Sequence, residues 1–132
     1  MNIKLLRRVA DAIKKEPLAF NMDTYTRLTS ESPCGATGCI AGMACFLSDP
    51  VLFFMDAIGI KQVDIKGEAL RFLGLNEQQG ERLFYLDASQ SSSEDMWPTR
   101  FCASYDRARS AKAKAKVAAD RIEHFIKTKG RE

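Results

Sequence analysis

The stretch "SPCGATGCIAGMACFLSDP", residues 32–50, decides how this chain is read. From about Ala36 to Leu47 it is apolar nearly all round, the pattern of a helix buried on most sides. Asp49-Pro50 stops it, because the residue before a proline disfavours helical dihedrals. A helix of this kind, about 36–48, needs others packed around it. The expected architecture is therefore all-α, a single domain over residues 1–132 with five to seven helices around this central one. Gly38, Ala41, Gly42 and Cys45 place small side chains on one face, which lets a second backbone approach closely, and free cysteine behaves as a small buried hydrophobe. Gly35, directly after Cys34, supplies a turn closed to side-chained residues if its φ is positive.

Working outward, "NIKLLRRVADAIKKEP" (2–17) sets Leu6, Val9, Ala10 and Ile13 at helical spacing, with Asn2 as cap and Pro17 as terminator. The segment after it reads as a short helical turn plus loop, with Leu18, Phe20, Met22 and Tyr25 as core anchors. "VLFFMDAIGI" (51–60) continues as an apolar helix, and a small hairpin over residues 58–65 is the weaker alternative to loop. "LRFLGLNEQQGERLF" (70–84) is strongly punctuated: Gly74 suits a left-handed helix C-terminus, and Asn76 with Gln79 three residues on forms a capping box. "ASQSSSED" (88–95) is the serine-rich loop expected to be most mobile. Beyond it, Trp97, Phe101 and Tyr105 recur every four residues, with Pro98 in a first helical turn. The last helix carries Ala108, Ala111, Ala115, Ala118, Ile122 and Phe125 as one stripe.

Composition narrows the class of protein. With 45% hydrophobic and 28% charged residues, the 132-residue chain matches a globular domain. Four cysteines without a secretory leader favour a reduced, cytoplasmic setting. The basic N-terminal segment lacks an apolar h-region and contains Asp11 and Glu16, so it reads as a folded helix and not a targeting peptide. The longest apolar runs fall far short of the roughly 20 residues of a membrane span, and no membrane partner is expected.

Cys34, Cys39 and Cys45 are spaced C-x4-C and C-x5-C, unlike paired zinc ligands, and helical geometry separates Cys39 from Cys45 by about 120°. No metal site and no cofactor are expected. Cys34 stands before an expected helix N-terminus, where the dipole lowers a thiol pKa, which makes it the weak candidate nucleophile of a cysteine-dependent enzyme. "CGATGC" loosely resembles the C-G-S-C-W signature of papain-like proteases, but departs at the second cysteine and lacks the aromatic. The only histidine, His124, lies about 200° around the wheel from Ile122, turned away from the apolar stripe and toward solvent. Phosphate-loop, nucleophile-elbow and zincin motifs do not occur, and the paired Glu94-Asp95 sits in the serine-rich loop. The balance leans away from an enzyme.

Charge is uneven. From Arg107 to Glu132 nine Lys/Arg face three Asp/Glu, a segment charge of +6, which leaves −3 for the rest of a chain whose total is +3. Arg107, Lys114 and Arg121 follow one another at seven-residue spacing as candidate nucleic-acid contacts. The pair of helices around Gly74 superficially resembles a helix-turn-helix, but Glu77, Glu81 and Asp87 on its second helix suit a phosphate-lined groove poorly.

The order "LLRRV…IKKEP", "CGATGCIAG", "LGLNEQQGERLF", "WPTRFCASY" and "VAADRIEHFIKTKG" resembles a family of small bacterial and phage-borne proteins that carry a C-G-T-x-x-C-I-A-G-W-A segment. Cys34, Gly35, Cys39, Ile40, Ala41 and Gly42 match that segment one by one. Ala36 departs from its threonine, and Met43 stands where tryptophan is frequent. The family has no established activity, so the resemblance implies a bacterial or phage cytoplasmic origin and a single domain, and no mechanism. The reading taken forward is binding to another protein or to itself, with Met96, Trp97, Phe101 and Tyr105 as candidate interaction surface. Nucleic-acid binding through the basic last helix is the first alternative, and Cys34 chemistry the second.

Overall fold

A computed structural model describes residues 1–86 and 96–132; the serine-rich segment 88–95, with its carboxylate pair, lies outside the described residues. The architecture is all-α: α1 (Ile3–Lys15), a 3-10 turn (Pro17–Ala19), a two-stranded antiparallel pair β1 (Arg27–Leu28) and β2 (Ala36–Thr37), then α2 (Ile40–Ser48), α3 (Pro50–Ala57), α4 (Ile65–Leu73), α5 (Glu77–Phe84), α6 (Thr99–Arg107) and α7 (Ala111–Lys127). In the strand pair Arg27 faces Thr37 and Leu28 faces Ala36.

Local chemistry sets most helix ends. The Asn2 side chain accepts from Leu5 N–H at the start of α1, while its own N–H donates to Leu73 O at 2.6 Å, fastening α1 to the end of α4. Asp49 serves two helices. Its N–H donates to Cys45 O at the end of α2, and its carboxylate accepts from Leu52 N–H at the start of α3. Gly74 ends α4 with a left-handed φ of 61°, and the Asn76–Gln79 capping box opens α5.

The central helix exists but starts later than its apolar run. Ala36 and Thr37 are drawn into the strand pair, and Cys39 becomes the N-cap of α2. Ile40 to Cys45 are all buried, and α2 packs against α1, α3 and α4. The widest helix–helix contact joins α1 to α7. There Ala115 and Ala118 are fully buried beside Ile122 and Phe125, and their small side chains bring the two axes together. Ala108 falls outside this helix, at the C-cap of α6. Residues 58–65 form no strand: Ile58 caps α3, Gly59 has a φ of 76°, and Val63 N–H donates to the Asp56 carboxylate before α4 begins. Of the four expected anchors in the first loop, Phe20 and Met22 are buried and Tyr25 is half-buried. Leu18 is 49% exposed, because the 3-10 turn faces it outward.

The small face of residues 38–42 meets the Tyr25 backbone first, with the Phe53 ring of α3 beside it. A Cβ on Gly38 would stand 2.5 Å from the Tyr25 carbonyl oxygen, and one on Gly42 closer still. Cys39 N–H donates to Thr24 O at 2.8 Å, and Asn21 N–H to Gly38 O at 3.0 Å. Gly35 differs in kind: its φ is 75°, and nothing lies within 4 Å of a Cβ placed there. Gly42→Ala is therefore expected to lower unfolding free energy by about 3 kcal/mol, the upper range for overpacking against an immovable backbone. Gly35→Ala is expected to cost only about 1 kcal/mol, the left-handed penalty of a side-chained residue. Urea titration of both variants checks the order, which equal losses would contradict.

Candidate functional site

The residues of the cysteine segment, Cys34 to Gly42, run from the β-turn through β2 into the start of α2. Cys34 is exposed in the turn that joins β1 to β2, its Sγ 3.0 Å from Ser32 Oγ and 3.5 Å from Ala36 O. It does not abut a helix N-terminus, contrary to the expectation, because β2 and Gly38 intervene. Cys39 holds that position instead. The backbone N–H groups of Gly42 and Ala41 point at its sulfur and favour the thiolate, but burial outweighs them and pushes the thiol up to about 11. Burial likewise pushes Cys45 up to about 12, and its S–H donates to Ile65 O at 3.6 Å. A reactive thiol needs both exposure and an electropositive setting. Here Cys34 has the first and Cys39 part of the second.

Beside Cys39 lies a cavity of about 180 Å³ lined by Met22, Tyr25, Phe84 and Tyr85, among others. The Tyr25 and Tyr85 hydroxyls are 2.9 Å apart, and burial together with this mutual contact raises the Tyr25 pKa well above its ordinary value. Lys66 sits 5.6 Å from the Tyr85 ring and pairs with Glu77 and Glu81. Sequence reasoning missed this polar group because its members come from the loop before β1, from α4 and from α5. Among the described residues, no group of three His, Cys, Asp or Glu side chains stands close enough to hold a metal, and no helix is long and apolar enough to cross a membrane.

The expected aromatic interaction surface is turned inward. Trp97 is 2% exposed and Tyr105 8% exposed. Trp97 Nε1 donates to Leu83 O at 2.8 Å, and its ring meets Tyr105 edge-on at 5.8 Å. Trp97 precedes α6, yet still packs in line with Tyr105; Met96 and Phe101 are half-buried beside them. Their four-residue spacing marks a core face.

The expected nucleic-acid stripe is also broken. Arg107 and Lys114 are exposed, but the Arg121 side chain is fully buried. Its guanidinium pairs with the Glu132 carboxylate and donates from Nη2 to Arg82 O at 2.8 Å. The first two residues remain available to a phosphate backbone; Arg121 does not. His124 keeps part of its surface exposure, 27% for the side chain, but is not free. Its Nε2 faces Glu132, Arg100 Nη2 lies 2.8 Å from its Nδ1, and the Phe101 ring stands 5.4 Å away. Arg100 Nη2 also stands 2.9 Å from Nε2, so the guanidinium faces both ring nitrogens.

Large exposed aliphatic side chains lie elsewhere. Val51 is 65% exposed on α3, and Ile58 and Ile60, at its exit, are 49% and 71% exposed. Phe53 is the one buried residue of this apolar helix, held edge-on against Phe46 and Phe54 at 5.4 Å each. Comparison with protein-family models, curated proteins and solved structures returns no match for this chain.

Two outcomes follow from these environments. In the folded protein the exposed Cys34 is expected to react fastest with a water-soluble disulfide reagent, the half-buried Cys102 more slowly, and Cys39 and Cys45 only on unfolding. Cys34→Ser should abolish the fast phase, and a fast phase that survives in it contradicts the assignment. Separately, burial and the nearby Arg100, Arg121 and Lys127 hold the His124 pKa below 6.5, against the pull of Glu132. The unfolded chain then binds its proton first, so His124 lowers stability as pH falls through about 6.5 toward the folded value. Thermal melts of wild type and His124→Asn between pH 7.5 and 5 are expected to show a smaller acid-side loss in the variant.

Proposed function

We propose that this protein acts by binding, to another protein or to a second copy of itself, through the apolar face of α3 and the turn that follows it. The observation that carries this reading is the exposure of Val51, Ile58 and Ile60 along one short segment. Large aliphatic groups gathered on a surface lose free energy in water that a partner's apolar surface recovers, at about 25 cal/mol per Å² buried. The separation of the thiols adds support. Exposure belongs to Cys34 and the helix N-terminus to Cys39, so neither combines the conditions of an activated nucleophile. The basic face of the last helix offers less, since its third cation is taken up inside the fold.

The test uses Val51→Glu with Ile60→Glu, two positions exposed enough that charge leaves the core intact. Light scattering of wild type is expected to show concentration-dependent association, or affinity capture to retain a partner. The double variant, with an unchanged circular dichroism spectrum, loses either. A wild type that stays monomeric at high concentration, and retains nothing that the double variant loses, overturns the reading.

A further inference from the structure

A fully buried arginine is costly unless paired, because a charge withdrawn from water loses several kcal/mol of solvation. Arg121 reaches α5 through the Arg82 carbonyl, but among the described residues its one carboxylate partner is Glu132, from the segment that follows α7. That segment is steered to the site. Lys129 and Gly130 both have left-handed φ values, 55° and 67°, an arrangement that strains a lysine. Gly130 N–H donates to Phe125 O at 2.9 Å, and its carbonyl accepts from Arg82 Nη1, also at 2.9 Å. The Glu132 carboxylate is thereby carried between Arg121 and His124, with Arg100 behind the imidazole.

This cluster is built for more negative charge than it holds. Arg121 and His124 hold the one carboxylate, while the exposed Arg100, beyond the imidazole, has no carboxylate partner among the described residues. The Arg121 Nε–H is buried and has no acceptor, so the guanidinium retains an unused donor beside its anion. The Phe101 ring backs the cations, 4.9 Å from the Arg100 guanidinium carbon and 5.7 Å from that of Arg121. Next to Glu132 opens a cavity of about 500 Å³, lined by Arg82, Met96, Trp97, Pro98, Thr99 and Cys102. It gives room for the body of a molecule whose anionic end takes the carboxylate's place.

We propose that Arg121, Arg100 and His124 form a binding site for a small-molecule oxyanion, a carboxylate or a phosphate monoester, and that Glu132 occupies it as a resident competitor. The planar guanidinium of Arg121 suits either group, since both present paired oxygens to a forked donor. The Met96, Trp97 and Pro98 side of the cavity receives an apolar part of the ligand. Binding releases Glu132, so ligand affinity is linked to the position of residues 128–132. The site is independent of the apolar face of α3, and either proposal stands without the other.

Glu132→Ala and Glu132→Gln, each confirmed as folded by circular dichroism, are titrated with inorganic phosphate and with acetate at constant ionic strength, beside wild type. A competitor that fills the site at least about 90% of the time weakens apparent affinity about tenfold. The alanine variant is therefore expected to bind one or both anions about tenfold or more tightly than wild type. Adding Arg100→Ala to it should remove most of the gain. A gain with acetate alone assigns carboxylate ligands, and a gain with phosphate alone assigns phosphate monoesters. Because phosphate also stabilises folded proteins in general, thermal melts are read as the difference between Glu132→Ala and Glu132→Ala with Arg100→Ala. Equal anion affinity in wild type and both Glu132 variants, or a gain that persists without Arg100, overturns the proposal.

Discussion

The contact on which the structure rests is the Tyr25 carbonyl laid against the start of α2. It requires two glycines, Gly38 and Gly42, because a side chain at either would drive the segment before β1 away. Once that segment is seated, Cys39 N–H finds Thr24 O, Gly38 N–H finds Ala19 O, and the backbone entering the central helix is satisfied while buried. A buried helix start without such partners would carry a desolvation cost for each orphaned N–H. The segment before β1 thus does for α2 what a capping side chain does for an exposed helix. With α2 fixed, α1, α3 and α4 have a surface to pack on, and α7 closes over α1.

Where a signal is local, the sequence is easily read. Asn2, Asp49-Pro50, Gly74 and the Asn76–Gln79 box each act within one helical turn, and each helix end is found where its residues point. The start of α2 was harder to see. Cys39 is a poor capping residue by side chain, and an apolar run cannot distinguish the last residues of a strand from the first of a helix. Two-residue strands such as Arg27–Leu28 are too short to show alternation, and their pairing depends on a turn made by Gly35 across intervening loop.

The candidate sites fared differently, for a related reason. A helical wheel reports which residues share a face, but not what covers that face. Trp97, Phe101 and Tyr105 share one, and the α5 backbone covers it through the Leu83 carbonyl. Arg121 shares another with Lys114, while Arg107 ends α6 and lies on a different helix, and a carboxylate eleven positions later draws Arg121 inside. His124 was placed in solvent by the same wheel, and the same residue, Glu132, reaches it. All of these errors come from contacts across elements, which periodicity does not encode.

Asp49 is a corner that does not swing. One residue ends α2 and begins α3, its amide committed to one helix and its carboxylate to the next. No free residue is left between them to absorb rotation, and the Phe46–Phe53–Phe54 ring cluster wedges the inside of the corner. The aliphatic groups on α3 are therefore presented at a set angle to the core before any encounter. On the proposed reading, association through them would forfeit little conformational freedom on this side, and the entropy lost on docking would fall mainly to whatever meets them.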